Sequence, residues 1–219
     1  MGEELDLIID NSELDDKNYE KYYYYTERII LAVPREFEIN RELMEYQLSA
    51  ADIAAKRHSD DAFPALPLPL LKNTPFIFVK EENSIYKRGV KMCGRQNYTP
   101  NIILKPDQVV SAFNMAGKGI GATFIPDGLV ASLSYEVPLC YYKMDESLSV
   151  RQVYFYKKRN KYLTKTMEEF IRVAVGDEGF QKVREAREKE NQEKKSQEKK
   201  NQEKKNQEKR NGTKNAGSI

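Results

Sequence analysis

The sequence predicts an α/β fold with a parallel sheet, followed by a charged tail that stands outside it. Three observations carry this reading. Short apolar runs alternate with helix-capping signals between residues 76 and 142. The chain has 219 residues, enough for one ordinary domain or two small lobes with a core. The composition then changes near residue 181: Gln181 to Ile219 carries 13 Lys+Arg against 7 Asp+Glu, while residues 1–180 carry 23 against 27.

The elements follow in chain order. Leu5-Asp6-Leu7-Ile8-Ile9 is a short apolar run of strand type, and Asn11-Ser12 and Asp15-Asp16 are turn residues. Tyr22 to Pro34, "YYYYTERIILAVP", is rich in aromatic and β-branched residues and predicts one or two strand segments. In "LSAADIAA", Ser49 is placed to cap a short helix. The proline-rich run 63–75 is an extended connector whose leucines must pack against something. Strands are then expected at 76–79, 101–104, 120–125 and 139–142. Between them lie helices from Asn83-Ser84 to about Cys93, from Pro106 or Asp107 through Ala116, and from Asp127. Val150 to Tyr156 is a final strand. Thr164 to Val175 is an amphipathic helix with Met167, Phe170, Ile171 and Ala174 on one face. The repeat NQEKK, SQEKK, NQEKK, NQEKR at 191–210 has no apolar residue and a five-residue period, so it predicts disorder or a frayed, solvated helix.

Charge and composition exclude several classes. The part ahead of the tail is mildly acidic, at −4, so the overall basic balance is no sign of nucleic-acid binding by the fold. Cys93 and Cys140 form neither a metal spacing nor a disulfide framework, and the simplest reading is a reduced, cytosolic compartment. The start MGEELDLIID is no signal peptide, and no run approaches the roughly 18 apolar residues of a membrane span. No nucleophile, base and orienter constellation and no metal-ligand spacing is present, so no enzyme, cofactor or metal is expected.

Glycines 117, 119 and 121 flank Lys118 and suggest a phosphate cradle, yet they follow a helix and precede a strand. A phosphate loop needs the reverse order, so these glycines are read as a helix C-cap and as close packing. Three strand-to-helix turns do have the right polarity: Asn83-Ser84, Pro106-Asp107 and Phe124-Ile125-Pro126-Asp127. In an open parallel sheet, ligands sit beyond the carboxyl ends of strands, and all three turns are expected on that edge. Anion binding and plain capping both use Asn83-Ser84, and the two readings stand side by side. His58 in "KRHSDD" is read as a solvated loop residue, Cys93 as core, and the tyrosine run 22–25 as strand packing at an interface.

The segments "GEELDLIID" with "ERIILAVP", "TPFIFVKEENSIYKRGVKMC", "YTPNIILKPDQVVSAFNMAGKGIGATFIPDGLV" and "VRQVYFYKKRNKYLTKTMEEFIRVA" are together similar to the effector-binding region of LysR-type transcriptional regulators over residues 2–175. The resemblance implies a periplasmic-binding-protein-like fold of type 2, with two α/β lobes and a small effector in the cleft. It further implies that residues 1–34 are the remainder of lobe I with the first crossover strand. Lobe II would be 35–148, the return crossover and last lobe I helix 149–180, and the low-complexity tail 181–219. The family's effector contacts fall here on Glu82, Asn83, Ser84 and Ile85, on Lys105 and Pro106, and on Phe124, Ile125 and Pro126. Lys105 suits an anionic effector and is equally an ordinary exposed lysine.

The pattern also departs from the family. Its winged helix-turn-helix, its linker helix and the opening elements of lobe I have no counterpart in this sequence, so the expectation is an N-terminally truncated sensing domain with an incomplete first lobe. The expected partners are a small effector, with an anion as one option, and further copies of the chain or full-length regulators, with no membrane and no specific DNA binding by this chain alone. The alternative is a stand-alone small-molecule binding protein, or a non-functional or interaction fragment of a regulator.

Overall fold

The structure is a computed structural model that describes residues 6–12, 14–182, 184 and 185. The element order is β1 (Ile8–Asp10), β2 (Tyr19–Pro34), α1 (Ile39–Glu42), β3 (Gln47–Leu48), α2 (Ala50–Ala54), β4 (Pro75–Ile77), α3 (Ser84–Arg95), β5 (Asn101–Leu104), α4 (Val109–Gly117), β6 (Thr123–Pro126), α5 (Asp127–Ala131), β7 (Leu139–Tyr142), α6 (Glu146–Ser149) and β8 (Val150–Lys158). A last helix, α7, covers 165–182. The NQEKK repeats, and the helix-or-disorder reading placed on them, lie outside the described residues. No helix among the described residues is long and apolar enough to cross a membrane.

The chain divides into two compact units, one of residues up to Tyr25 and from Val153 onward, the other of Thr26–Gln152. In the first, β1, β8 and β2 are neighbours, with β1 antiparallel to β8 through Ile8↔Tyr156. Alternation along β2 sorts the tyrosines: Tyr22 is buried with Phe155 and Ile171 of α7, whereas Tyr23 and Tyr25 are exposed. Thr164 caps α7, its Oγ1 accepting from the Met167 N–H at 3.2 Å. On the expected apolar face Met167 and Ile171 are buried, but Phe170 is exposed and meets Phe155 edge-on at 6.1 Å.

The second unit holds the larger core. Residues Ile29–Val33 of β2 are all buried, because β6 and β7 both pair antiparallel with this stretch, through Ile30↔Ile125 and Ala32↔Tyr141. β3 adds to the far side of β7. β4 and β5 are parallel, and a single parallel bridge, Phe76↔Ala122, lies just ahead of β6. The strands β4, β5 and β6 thus run the same way, as the alternation of strands and helices requires.

Local signals explain the boundaries. Ser49 and Asp52 form a reciprocal capping box on α2. α4 ends in a Schellman motif: Gly119 has φ +79°, its N–H reaches Ala116 O at 2.9 Å, and Ile120 N–H reaches Met115 O at 3.3 Å. The C-cap reading holds at Gly119, whereas Gly117 is the last residue of α4 itself. Gly121 is needed for another reason, since a Cβ there would stand 2.8 Å from the Pro75 carbonyl oxygen. α4 opens later than Pro106-Asp107, at Val109 with Gln108 as N-cap, because the Asp107 carboxylate is turned to Lys80 at 2.5 Å rather than to the helix amides. In the proline-rich connector, Leu66, Leu68 and Leu71 are buried, and Leu66 N–H is held by Lys143 O at 2.8 Å.

Candidate functional site

The carboxyl end of β6 opens directly into α5 and that of β4 leads through residues 78–83 into α3, so the site is built around those helix starts. Asn83, extended at φ −72° and ψ 138°, caps α3 by accepting from Ile85 N–H at 2.9 Å. The N–H groups of Ser84 and Tyr86 meet no acceptor among the described residues, as the first turn of a helix leaves them. Against this turn lies Arg151 of β8. Its Nη1 donates to Ser84 Oγ at 2.8 Å, and its Nε donates to a Glu27 carboxylate oxygen from β2. Both side chains are nearly excluded from solvent, at 6% and 9% exposure. Arg88, one turn along α3, donates to the carbonyls of Leu148 at 2.8 Å and Val150 at 3.4 Å. Burial lowers the Arg88 pKa, Arg151 beside it lowers it further, and Glu27 opposes both. The three charged groups sum to +1, at the end of a helix whose dipole adds about half a positive charge.

The second turn is stitched to the first. Lys80 N–H reaches Pro106 O at 3.2 Å, and Lys105 Nζ reaches Glu81 Oε1 at 2.7 Å while lying 5.3 Å from the Tyr86 ring. That hydrogen bond from Lys105 holds the Glu81 carboxyl below its ordinary range. The third turn is tied to β2: Asp127 Oδ1 accepts from Arg28 N–H at 3.0 Å, and Oδ2 lies 2.8 Å from His58 Nε2. Burial pushes the Asp127 carboxyl up, but His58, the Arg28 N–H and the Gly128 N–H together bring it below its usual value. His58 is therefore not a solvated loop residue. It is 1% exposed, because the polar stretch around it folds inward onto Asp127, 69 positions away in sequence.

Of the nine residues the sequence nominates, Asn83, Ser84 and Pro106 are half-buried, as is Pro126, while Glu82 and Lys105 are exposed. Ile85, Phe124 and Ile125 are buried. Phe124 packs among Phe76 and Phe78, with centroids at 6.0 and 5.5 Å, and Ile125 pairs with Ile30. The side chains of these last two are thus taken up by the core. Glu27, Arg88 and Arg151 escaped the sequence reading. The signal for two of them was there: Glu27 and Arg151 interrupt the apolar runs of two strands with opposite charges. Cys93 is buried as expected, and burial pushes its thiol up to about 11. The glycines 117 and 119 lie at the other end of β6, lining a pocket of about 410 Å³ with Pro34, Arg35 and Pro138.

A model of the family described as "LysR substrate binding domain" matches residues 2–177. The chain belongs to that family. A curated relative of this LysR domain, the uncharacterized HTH-type transcriptional regulator YcgK of Bacillus subtilis (strain 168), is 24% identical over 171 residues. The match takes in 78% of this chain and 51% of that one, so the chain spans about half the length of the curated relative. Solved structures give the same fold. The Synechocystis PCC6803 CcmR regulatory domain in complex with 2-PG has a TM-score of 0.59 at 12% identity, over 78% of this chain and 72% of that one. The effector-binding domain of QuiR in complex with shikimate scores 0.54 at 12% identity, over 82% and 72%. The BenM effector-binding domain with its effector benzoate scores 0.52 at 16% identity, over 80% and 72%. The LysR substrate-binding domain thus has the periplasmic-binding-protein-like α/β fold that the order of its segments implied.

Proposed function

We propose that this LysR substrate-binding domain senses a small organic anion on behalf of a transcriptional regulator, by binding rather than by catalysis. The observation that carries the reading is the pairing of unsatisfied α3 amides, at Ser84 and Tyr86, with the buried Arg151 guanidinium on Ser84 Oγ. Amides and a fixed cation converge where a carboxylate or phosphate oxygen would be accepted in place of water. Three structural neighbours, in complex with 2-PG, shikimate and benzoate, agree in kind with such a ligand.

In this proposal the Ser84 and Tyr86 N–H groups hold the anion, beside the Asn83 cap that occupies the Ile85 N–H. Glu82, Lys105 and Pro106 form the rim, and the Phe124–Pro126 strand end forms the floor. The division into a first lobe at 1–34 and 149–180 and a second at 35–148 belongs to the same reading, as do a cytoplasmic setting and association with further copies or full-length regulators. The test is a titration of the 15N-labelled chain with benzoate, shikimate and acetate. Saturable shifts are expected at the amides of residues 83–87, with those of 117–121 unmoved. Shifts centred on 117–121, or none at 83–87 with any of the three, would overturn the proposal.

A further inference from the structure

We infer that Glu27, Arg88 and Arg151 set the charge of the ligand that the α3 terminus accepts: one negative charge, as on a monocarboxylate, and not two. The inference rests on the anion-binding reading above and adds a ligand class to it. Arg151 is more than nine-tenths buried, and its Nη2 has no partner among the described residues while Nε and Nη1 are fixed on Glu27 and Ser84. One nitrogen of a held guanidinium is therefore left without a hydrogen bond. Glu27 cancels one of the two arginine charges at contact distance. At the neighbouring turns Lys105 is paired with Glu81 and Lys80 with Asp107. Glu82, exposed at the turn, adds a negative rim. One ligand charge neutralises the remaining +1, whereas a second meets Glu27 and Glu82 without a partner. Glu27 is on this account a positioning and charge-setting residue that does not touch the ligand.

The experiment compares acetate with malonate, matched in chemistry and differing in charge, at constant ionic strength and neutral pH, read at the Ser84 and Tyr86 amides of the full chain. On the natural chain malonate should bind no more tightly than acetate. Arg88→Gln lowers the local charge by one, and since Coulomb energy scales with ligand charge, malonate should lose about the square of the factor that acetate loses. Glu27→Gln should do the reverse, raising malonate over acetate by about tenfold for a unit charge a few ångström away. If Glu27→Gln does not fold, Arg88→Gln and the natural chain carry the test alone. Malonate binding tenfold more tightly than acetate on the natural chain, or equal factors for both ligands in Arg88→Gln, would overturn the charge rule and leave the site intact. No shift at Ser84 or Tyr86 with either probe would overturn the site as well.

Discussion

Gly89 and Gly94 lie on the same helix, α3, and the same substitution should have opposite signs at the two positions. Alanine at either removes backbone freedom from the unfolded chain, worth about 0.5–1 kcal/mol in a helix. At Gly94 a Cβ would meet nothing within 4 Å, so Gly94→Ala should stabilise by about that amount. At Gly89 the added Cβ would stand 2.9 Å from Phe124 Cδ2, 3.0 Å from Phe78 Cε1 and 3.2 Å from Phe124 Cε2. Those rings cannot swing aside: Phe76, Phe78 and Phe124 are buried with centroids 5.5–6.0 Å apart. Overpacking of this kind costs about 1–3 kcal/mol, which outweighs the helix gain. Gly89→Ala should therefore lose about 1–2 kcal/mol net. Urea unfolding followed by circular dichroism reads both variants, with unchanged slopes as the condition for comparing midpoints. Adding Phe124→Leu to Gly89→Ala should recover part of the loss by opening space. Gly89→Ala at or above the stability of the natural chain, with Gly94→Ala stabilising as expected, would show that the aromatic cluster is looser than its geometry requires.

Three further outcomes are expected. Ser49→Ala should cost about 1 kcal/mol by removing the α2 capping box. That box, with hydrogen bonds from Ser49 first and Arg57 after, lowers the Asp52 carboxyl to about 2. The folded pKa lies below the unfolded one, so this stability is present above about pH 4 and lost as pH falls toward 2; acid unfolding should flatten in the variant. Gly119→Ala should cost about 1 kcal/mol through its positive φ, leaving acetate binding at Ser84 unchanged because the residue sits at the far end of β6. Finally, Glu27→Met or Arg151→Met alone should each cost about 3–5 kcal/mol by stranding a buried charge, whereas the double variant should cost far less; additive losses in the cycle would show the pair to be uncoupled.

Much of the fold was legible because its causes are local. Ser49 and Asp52 are three residues apart, Asn83 precedes its helix, and Gly119 follows one, so capping chemistry announces itself in the sequence. The parallel sense of β4, β5 and β6 followed from helices lying between them. The candidate site was legible only as backbone, in the turns after those strands. The pairing of its charges was not, because Glu27 and Arg151 are 124 positions apart and His58 and Asp127 are 69 apart. A histidine amid lysine, arginine and aspartate looks solvated until a distant carboxylate turns it inward. Conversely, Lys105 looked free until Glu81, across a strand pair, claimed it.

The adjacency of Glu27 and Arg28 on β2 has a further consequence, for how the chain finds its alignment. Neighbouring residues of an extended strand are addressed in opposite directions: Glu27 offers its carboxylate to Arg151, while Arg28 offers its backbone N–H to Asp127. The apolar stretch Ile29–Val33 that follows is nearly uniform, and by itself would tolerate sliding past β6 and β7. A slide by one residue that set Arg28 in the place of Glu27 would confront Arg151 with a second guanidinium in a dry interior and leave Asp127 without its amide. The charged dipeptide thus proofreads the β2 alignment: the misaligned strand is rejected at the one point along it where a one-residue error reverses the sign of a buried charge.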